Sequence, residues 1–185
     1  MFKYYKKLEY PINLTKKDLK MAKYIITGLG GSAGELAAAT RYYIQSFSMP
    51  DEKGKALLVD IATEELAHVE MISTMFNQLI KDATYEELKE YNLADYYTEH
   101  GKGIYPINAS GLPFDAKYIA STGNPVVDLA EDMAAEEKAR ASYESIIDLT
   151  DNKELINPLL FLRQREIVHY NRFKELYEEY KRKGM

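Results

Sequence analysis

Two short stretches carry metal-ligating side chains at helical spacing, Glu64-Glu65-Leu66-Ala67-His68 and Arg165-Glu166-Ile167-Val168-His169. In each, a carboxylate and an imidazole stand three residues apart, which on a helix puts both on one face. Glu65 and His68 share the face of Ile61, Ile72 and Met75, while Glu166 and His169 align with Leu159, Leu162, Phe173 and Leu176. Two further glutamates obey the same rule. Glu35 is in register with Leu29, Ala39 and Tyr42, and Glu136 with Leu129, Met133 and Tyr143. Four carboxylates converging in an apolar interior would repel and desolvate one another, at several kcal/mol each or with a large pKa shift. A pair of divalent cations removes that cost, so the chemistry expected of these residues is that of a dinuclear metal centre.

The spacing sharpens this reading. Glu35 to Glu65 is 30 residues, Glu136 to Glu166 is again 30, and each pair is offset by 101. The same offset carries His68 onto His169, Tyr42 onto Tyr143, Leu58 onto Leu159 and Ile72 onto Phe173, the mark of a pseudo-repeat of two hairpins. It also selects Glu136 over its neighbour Glu137. An isolated Glu-x-x-His is weak evidence, most often a surface pair. Two copies, each preceded by an inward glutamate at one fixed distance, are not.

Other residues carry weaker signals. Tyr42 and Tyr143, one heptad past Glu35 and Glu136, suit hydrogen bonds to the carboxylates and core packing equally well. His100, in Glu99-His100-Gly101, reads as a solvated or interface residue. Gly28-Leu29-Gly30-Gly31-Ser32-Ala33-Gly34 has the composition of a phosphate loop but no preceding strand, and is expected to allow close helix approach or access to the metals. Arg41, Arg140 and Arg165 flank the ligand positions, with surface pairing the simpler expectation.

Helical periodicity supplies the elements that would position these groups. A first helix is expected over 16–48, with Thr15 and Asp18 as a capping box, and a second over 52–81 with Asp51 as cap. A third is expected over 125–148, started by Pro125, and a fourth over 152–181, with Pro158 as a kink or the true start. Between them, residues 82–124 are punctuated by Gly101, Gly103, Pro106, Gly111, Pro113 and Gly123, with at most one short helix near Tyr85 to Tyr91. Two helical hairpins joined by one long crossover make an all-α, ferritin-like four-helix bundle, expected to form a single domain over 1–185.

Composition limits the alternatives. The 185 residues contain no cysteine, which excludes disulfides, thiol catalysis and iron–sulfur clusters. A net charge of −5 argues against nucleic acid as a partner, and no apolar run approaches the roughly 20 residues of a membrane span. The basic start, Met1 to Lys7, is followed by no apolar stretch and does not read as a secretory signal; an intracellular protein is expected. The 16 tyrosines suit packing and protein–protein surfaces.

At these motifs the sequence resembles the manganese catalases, especially their short, spore-coat-associated, CotJC-like branch. The resemblance covers most of the chain. It is carried by Leu29-Gly30-Gly31-Ser32-Ala33-Gly34-Glu35-Leu36, by Asp60 through His68, by Thr122-Gly123-Asn124-Pro125 leading to Glu136, and by Arg165 through His169. It implies that Glu35 and His68 ligate one metal and Glu136 and His169 the other, with Glu65 bridging. Glu166 would then handle protons just outside the ligand set, and Tyr42 would hydrogen-bond to the site. The reaction implied is 2 H2O2 to 2 H2O and O2, with two manganese ions cycling between the II,II and III,III states and no outside reductant. Longer members carry an arginine before the third-helix glutamate, where this chain has Ala135, and a C-terminal extension. The donors alone suit iron as well as manganese. The rivals are therefore a di-iron oxidase or peroxidase of the rubrerythrin and ferritin class, and a structural coat protein with a vestigial site. The resemblance further implies a homo-oligomer, as in hexameric catalases. It places the chain in the cytoplasm or, in the coat reading, in the spore coat among other coat proteins.

Overall fold

A computed structural model describes residues 7–185, with every side chain among them but that of Tyr96. Most of the basic start of the chain, and with it the reading of that start as no signal, lies outside the described residues. The described residues form helices and loops, with one isolated bridge between Ile107 and Pro113 and no strand. No described helix is long and apolar enough to cross a membrane.

The bundle differs from expectation in its first helix. In place of one helix there are three segments, α1 (Leu19–Ile25), α2 (Thr27–Gly30) and α3 (Glu35–Ser46). The glycine run explains the break. A Cβ on Gly30 would lie 2.3 Å from Pro106 C and Ile107 N, so the crossover backbone passes directly against that residue, as only glycine permits. Gly31 and Gly34 are extended, and Gly34 caps α3, which makes Glu35 its first residue. A carboxylate in the first turn sits at the positive end of the helix dipole. Asp18 alone caps α1, accepting from Met21 N, while Thr15 turns away to bond with Glu154.

The other three long helices start where their caps dictate. Asp51 accepts from Gly54 N at the start of α4 (Glu52–Leu79). The crossover holds two helices and not one, α5 (Tyr85–Glu90), with a capping box of Thr84 and Glu87, and α6 (Ala94–His100); a 3-10 turn follows at Ala116–Ile119. Asn124 caps α7 (Pro125–Ile147), with Pro125 in its first turn, and Asn152 caps α8 (Lys153–Arg182). Pro158 is buried inside α8, six residues into the helix, where it neither starts nor ends it.

The core is split. One apolar cluster gathers Ile25, Leu29, Ile72, Met75, Phe76, Tyr143, Leu155, Leu159 and Leu162; the other gathers Tyr42, Leu58, Ile61, Leu129, Phe173, Leu176 and Tyr180. Along α4 and α8 the two clusters are separated by Glu65 to His68 and Glu166 to His169. A polar belt therefore crosses the bundle midway, dry on both sides. Residues 7–18 run across α4 and α8: Leu14 N donates to Gln78 Oε1 at 2.7 Å, Gln78 Nε2 to Ile12 O at 3.3 Å, and Tyr10 packs on Phe161 with ring centroids 5.1 Å apart.

Candidate metal centre

Each of the four bundle helices delivers one or two side chains to the belt. Glu35 comes from α3, Glu65 and His68 from α4, Glu136 from α7, and Glu166 and His169 from α8; all six are buried, none more than 2% exposed. Glu137 points outward and pairs with Arg140. Glu65 lies between the two imidazoles, its Oε2 2.8 Å from His68 Nδ1 and its Oε1 2.7 Å from His169 Nδ1. Glu35 Oε2 stands 3.6 Å from His68 Nδ1, and Glu136 Oε2 3.7 Å from His169 Nδ1. Glu166 faces this set with its Oε1 4.0 Å from His68 Nδ1. The two rings stack with centroids 5.8 Å apart.

These atoms form two overlapping donor groups, Glu35, Glu65, His68 and Glu166, and Glu65, Glu136, Glu166 and His169, with the ligand atoms of each within 4.8 Å of one another. Glu136 Oε2, Glu166 Oε1, His68 Nε2 and His169 Nε2 are buried without a hydrogen-bond partner among the described residues. Buried polar atoms are rarely left so. An inward set of oxygen and imidazole donors fits a pair of divalent cations.

Electrostatics separates the two shared carboxylates. Burial alone would raise Glu65, but the two flanking imidazoles outweigh it and hold it well below the usual range. Glu166 is pushed well above that range by burial and by Glu136, Glu35 and Glu65, and Glu35 rises for the same reasons, burial first and then Glu65. Burial opposes charge on the imidazoles, yet the carboxylates win: Glu65 and Glu35 lift His68 to about 10, and Glu65, Glu136 and Glu64 lift His169 to about 12. Carboxylates and imidazoles crowded this closely tolerate one another only with protons or cations between them.

The tyrosines cross between hairpins. Tyr42 on α3 donates to Glu136 Oε1 on α7 at 2.5 Å, and Tyr143 on α7 donates to Glu35 Oε1 on α3. Both are also core residues, so the two sequence readings of this pair hold together. Arg165 pairs with Glu64, its Nε 2.5 Å from Glu64 Oε1, whereas Arg41 departs from the expected surface pairing. Arg41 is buried and donates to the carbonyls of Tyr118 and Ile119, tying the 3-10 turn of the crossover to α3. His100 lies in the crossover, stacked on Tyr105 with ring centroids 3.8 Å apart, away from the belt.

Three carboxylates beside the belt escaped the sequence reading. Asp132, one turn before Glu136 on the same face, is fully buried and raised well above its usual range by burial, against the pull of Arg41. Its spacing from Glu136 was the available signal. Glu64 Oε2 lies 3.2 Å from His169 Nε2, and Glu9 Oε2 lies 3.5 Å from His68 Nε2. Glu64 sits beside a motif residue and was within reach of inspection; Glu9, in an aperiodic segment 59 residues from His68, gave no signal.

The family model for manganese-containing catalases matches residues 1–184. The chain belongs to the manganese catalase family. Among family relatives, Protein CotJC of Bacillus subtilis is 51% identical over 96% of this chain and 94% of its own length. The manganese catalase of Lactiplantibacillus plantarum is 35% identical over 99% of this chain and 73% of its own. The crystal structure of KatB, a manganese catalase from Anabaena, superposes with a TM-score of 0.88 at 29% identity, covering 98% of this chain and 81% of that one. A dodecameric thioferritin from Bacteroides fragilis, at a TM-score of 0.63 and 16% identity, shares the fold alone. The family's all-helical, ferritin-like architecture is the one described here.

Proposed function

We propose that this chain disproportionates hydrogen peroxide to water and dioxygen with two manganese ions held in the belt. The observation that carries the reading is the pair of overlapping donor groups sharing Glu65 and Glu166 in a dry bundle. Glu35 and His68 would hold one ion, Glu136 and His169 the other, and Glu65, which faces both imidazoles and stays ionised, would join them. When bound, the metal pair supplies two-electron steps, taking two electrons from one peroxide and returning them to a second.

The residues supply the rest. Glu166 differs from Glu65 in favouring its proton, because burial and three neighbouring carboxylates raise it, so it suits the acceptance and return of peroxide protons. Tyr42 and Tyr143 fix the orientation of Glu136 and Glu35; burial and the neighbouring Glu136 keep the Tyr42 hydroxyl protonated and hence a donor. The apolar clusters on either side keep bulk water from the belt.

Protein purified from manganese-supplemented cells is expected to contain about two ions per chain, as the two-site bundle architecture requires, and to evolve O2 from peroxide. His68→Ala should lose both the metal and the activity, whereas Glu166→Gln should keep the metal and lose about 100-fold or more in rate. Peroxide consumed without O2 release by iron-loaded protein would instead indicate a di-iron peroxidase. Resemblance to the spore-coat-associated branch, and 51% identity to CotJC, favour a second reading, in which the chain is a coat component, assembled as a homo-oligomer with other coat proteins. Manganese-loaded protein that leaves peroxide untouched would decide for it.

A further inference from the structure

We propose that Glu9 is a positioning residue for His68, so that docking of residues 7–18 across α4 and α8 sets how tightly one of the two metal positions holds its ion. The inference rests on the dinuclear reading and deepens it. An imidazole that offers Nδ1 to a cation carries its remaining proton on Nε2, and in a buried ring that N–H needs an acceptor. The carboxylate beside His169 Nε2 is that of Glu64, its Oε2 3.2 Å away though outside hydrogen-bond geometry, and the other oxygen of Glu64 is committed to Arg165 at 2.5 Å.

The pseudo-repeat explains why His68 needs an outsider. The offset of 101 carries His68 onto His169 and Glu64 onto residue 165. A carboxylate on α4 serves the histidine of α8, so symmetry calls for a carboxylate at 165 on α8 to serve the histidine of α4. That residue is Arg165, which has no acceptor. The repeat fails at this position, so His68 Nε2 is buried without a hydrogen-bond partner, and the carboxylate oxygen nearest to it is that of Glu9, 3.5 Å away against 3.9 Å for the already committed Glu64 Oε1. Glu9 is held there by the segment's own anchors: Leu14 and Ile12 on Gln78, Thr15 on Glu154, and Tyr10 on Phe161. Glu9, Glu64 and His68 Nε2 also converge closely enough to suggest a third cation site. Arg165 already neutralises Glu64, and the same imidazole would have to give up both protons, so outer support of His68 is the better account.

The test uses the full chain. Manganese(II) affinity is measured by chelator competition with metal analysis, alongside the Mn(II) electron paramagnetic resonance spectrum and the thermal unfolding of metal-free protein. Glu9→Ala should weaken one of the two ions by about 10- to 100-fold and leave the other near wild type. Its spectrum should shift from that of a coupled pair towards that of a single ion. Glu9→Asp should recover part of the loss. Glu154→Gln, which loosens Thr15 and touches no ligand, should weaken the same ion by less. Wild type that binds two ions while Glu9→Ala binds both equally tightly overturns the role of Glu9 and leaves the dinuclear reading intact. So does a variant that weakens both ions alike in step with a lower unfolding temperature. Wild type that takes up no manganese overturns both.

Discussion

At the scale of single residues, the belt is a set of charges that tolerate one another only through protons, tyrosine hydroxyls or cations. The crossed tyrosines are equivalent under the offset of 101, so Tyr42→Phe and Tyr143→Phe should each impair metal retention by about tenfold, measured by chelator competition. A loss confined to Tyr42→Phe would mean that only one half of the repeat orients its carboxylate. Protonation sets a further expectation. In the metal-free protein His68 titrates at about 10 and His169 at about 12, against 6.5 for a free imidazole. Both imidazoliums therefore stabilise the metal-free fold fully below about pH 6.5, and that contribution is lost as pH rises through about 10 and then 12. Cation binding needs Nδ1 free of its proton, so manganese uptake should release protons and tighten as pH rises from about 6 to 9. Calorimetry in buffers of different ionisation enthalpy measures the release; uptake with no proton release would contradict the charge assignment. The inward glutamates and histidines were legible in the sequence because charged side chains on an apolar helical face are expensive. Glu9 was not, because its partner lies far along the chain and its segment has no period to read.

At the scale of elements, the long helices were legible from their stripes and caps, with Asp51, Pro125 and Asn152 all standing where α4, α7 and α8 begin. The first helix was not. Apolar and small residues keep helical spacing through Gly28 to Gly34, but the cause of the break is the crossover backbone against Gly30, a tertiary contact that no local pattern records. Gly30→Ala should therefore cost about 1–3 kcal/mol in denaturant unfolding, although alanine is the better helix former. A stabilised variant would show that α1, α2 and α3 can fuse without displacing Pro106 and Ile107. In the crossover the short helix expected near Tyr85 to Tyr91 is α5, started by its own capping box, whereas α6 escaped the sequence because its seven residues carry no stripe and its cap, Leu93, makes no side-chain hydrogen bond.

At the scale of the whole molecule, one face of the α3–α4 hairpin is apolar and open to solvent, with Tyr43, Ile44, Phe47, Val59 and Leu66 each more than a third exposed. Between them lies a shallow hollow of about 260 Å³, lined by Ala39, Thr40, Tyr43, Ala62, Thr63 and Leu66. Apolar surface of this kind marks an interaction face, so the chain should run in light scattering as an oligomer, and Leu66→Glu should shift it towards a 21.3 kDa monomer without loss of helicity. An unchanged mass would place the subunit contact elsewhere. The belt has a consequence for cohesion too. Helices pack far more extensively within each hairpin than between hairpins, yet each donor group draws on both. A metal pair held there would be a rivet through the seam of the bundle. A chain nicked by protease near the exposed, left-handed Gly111 should stay in one piece when manganese-loaded, and its two fragments should part far more readily once a chelator has drawn the rivet.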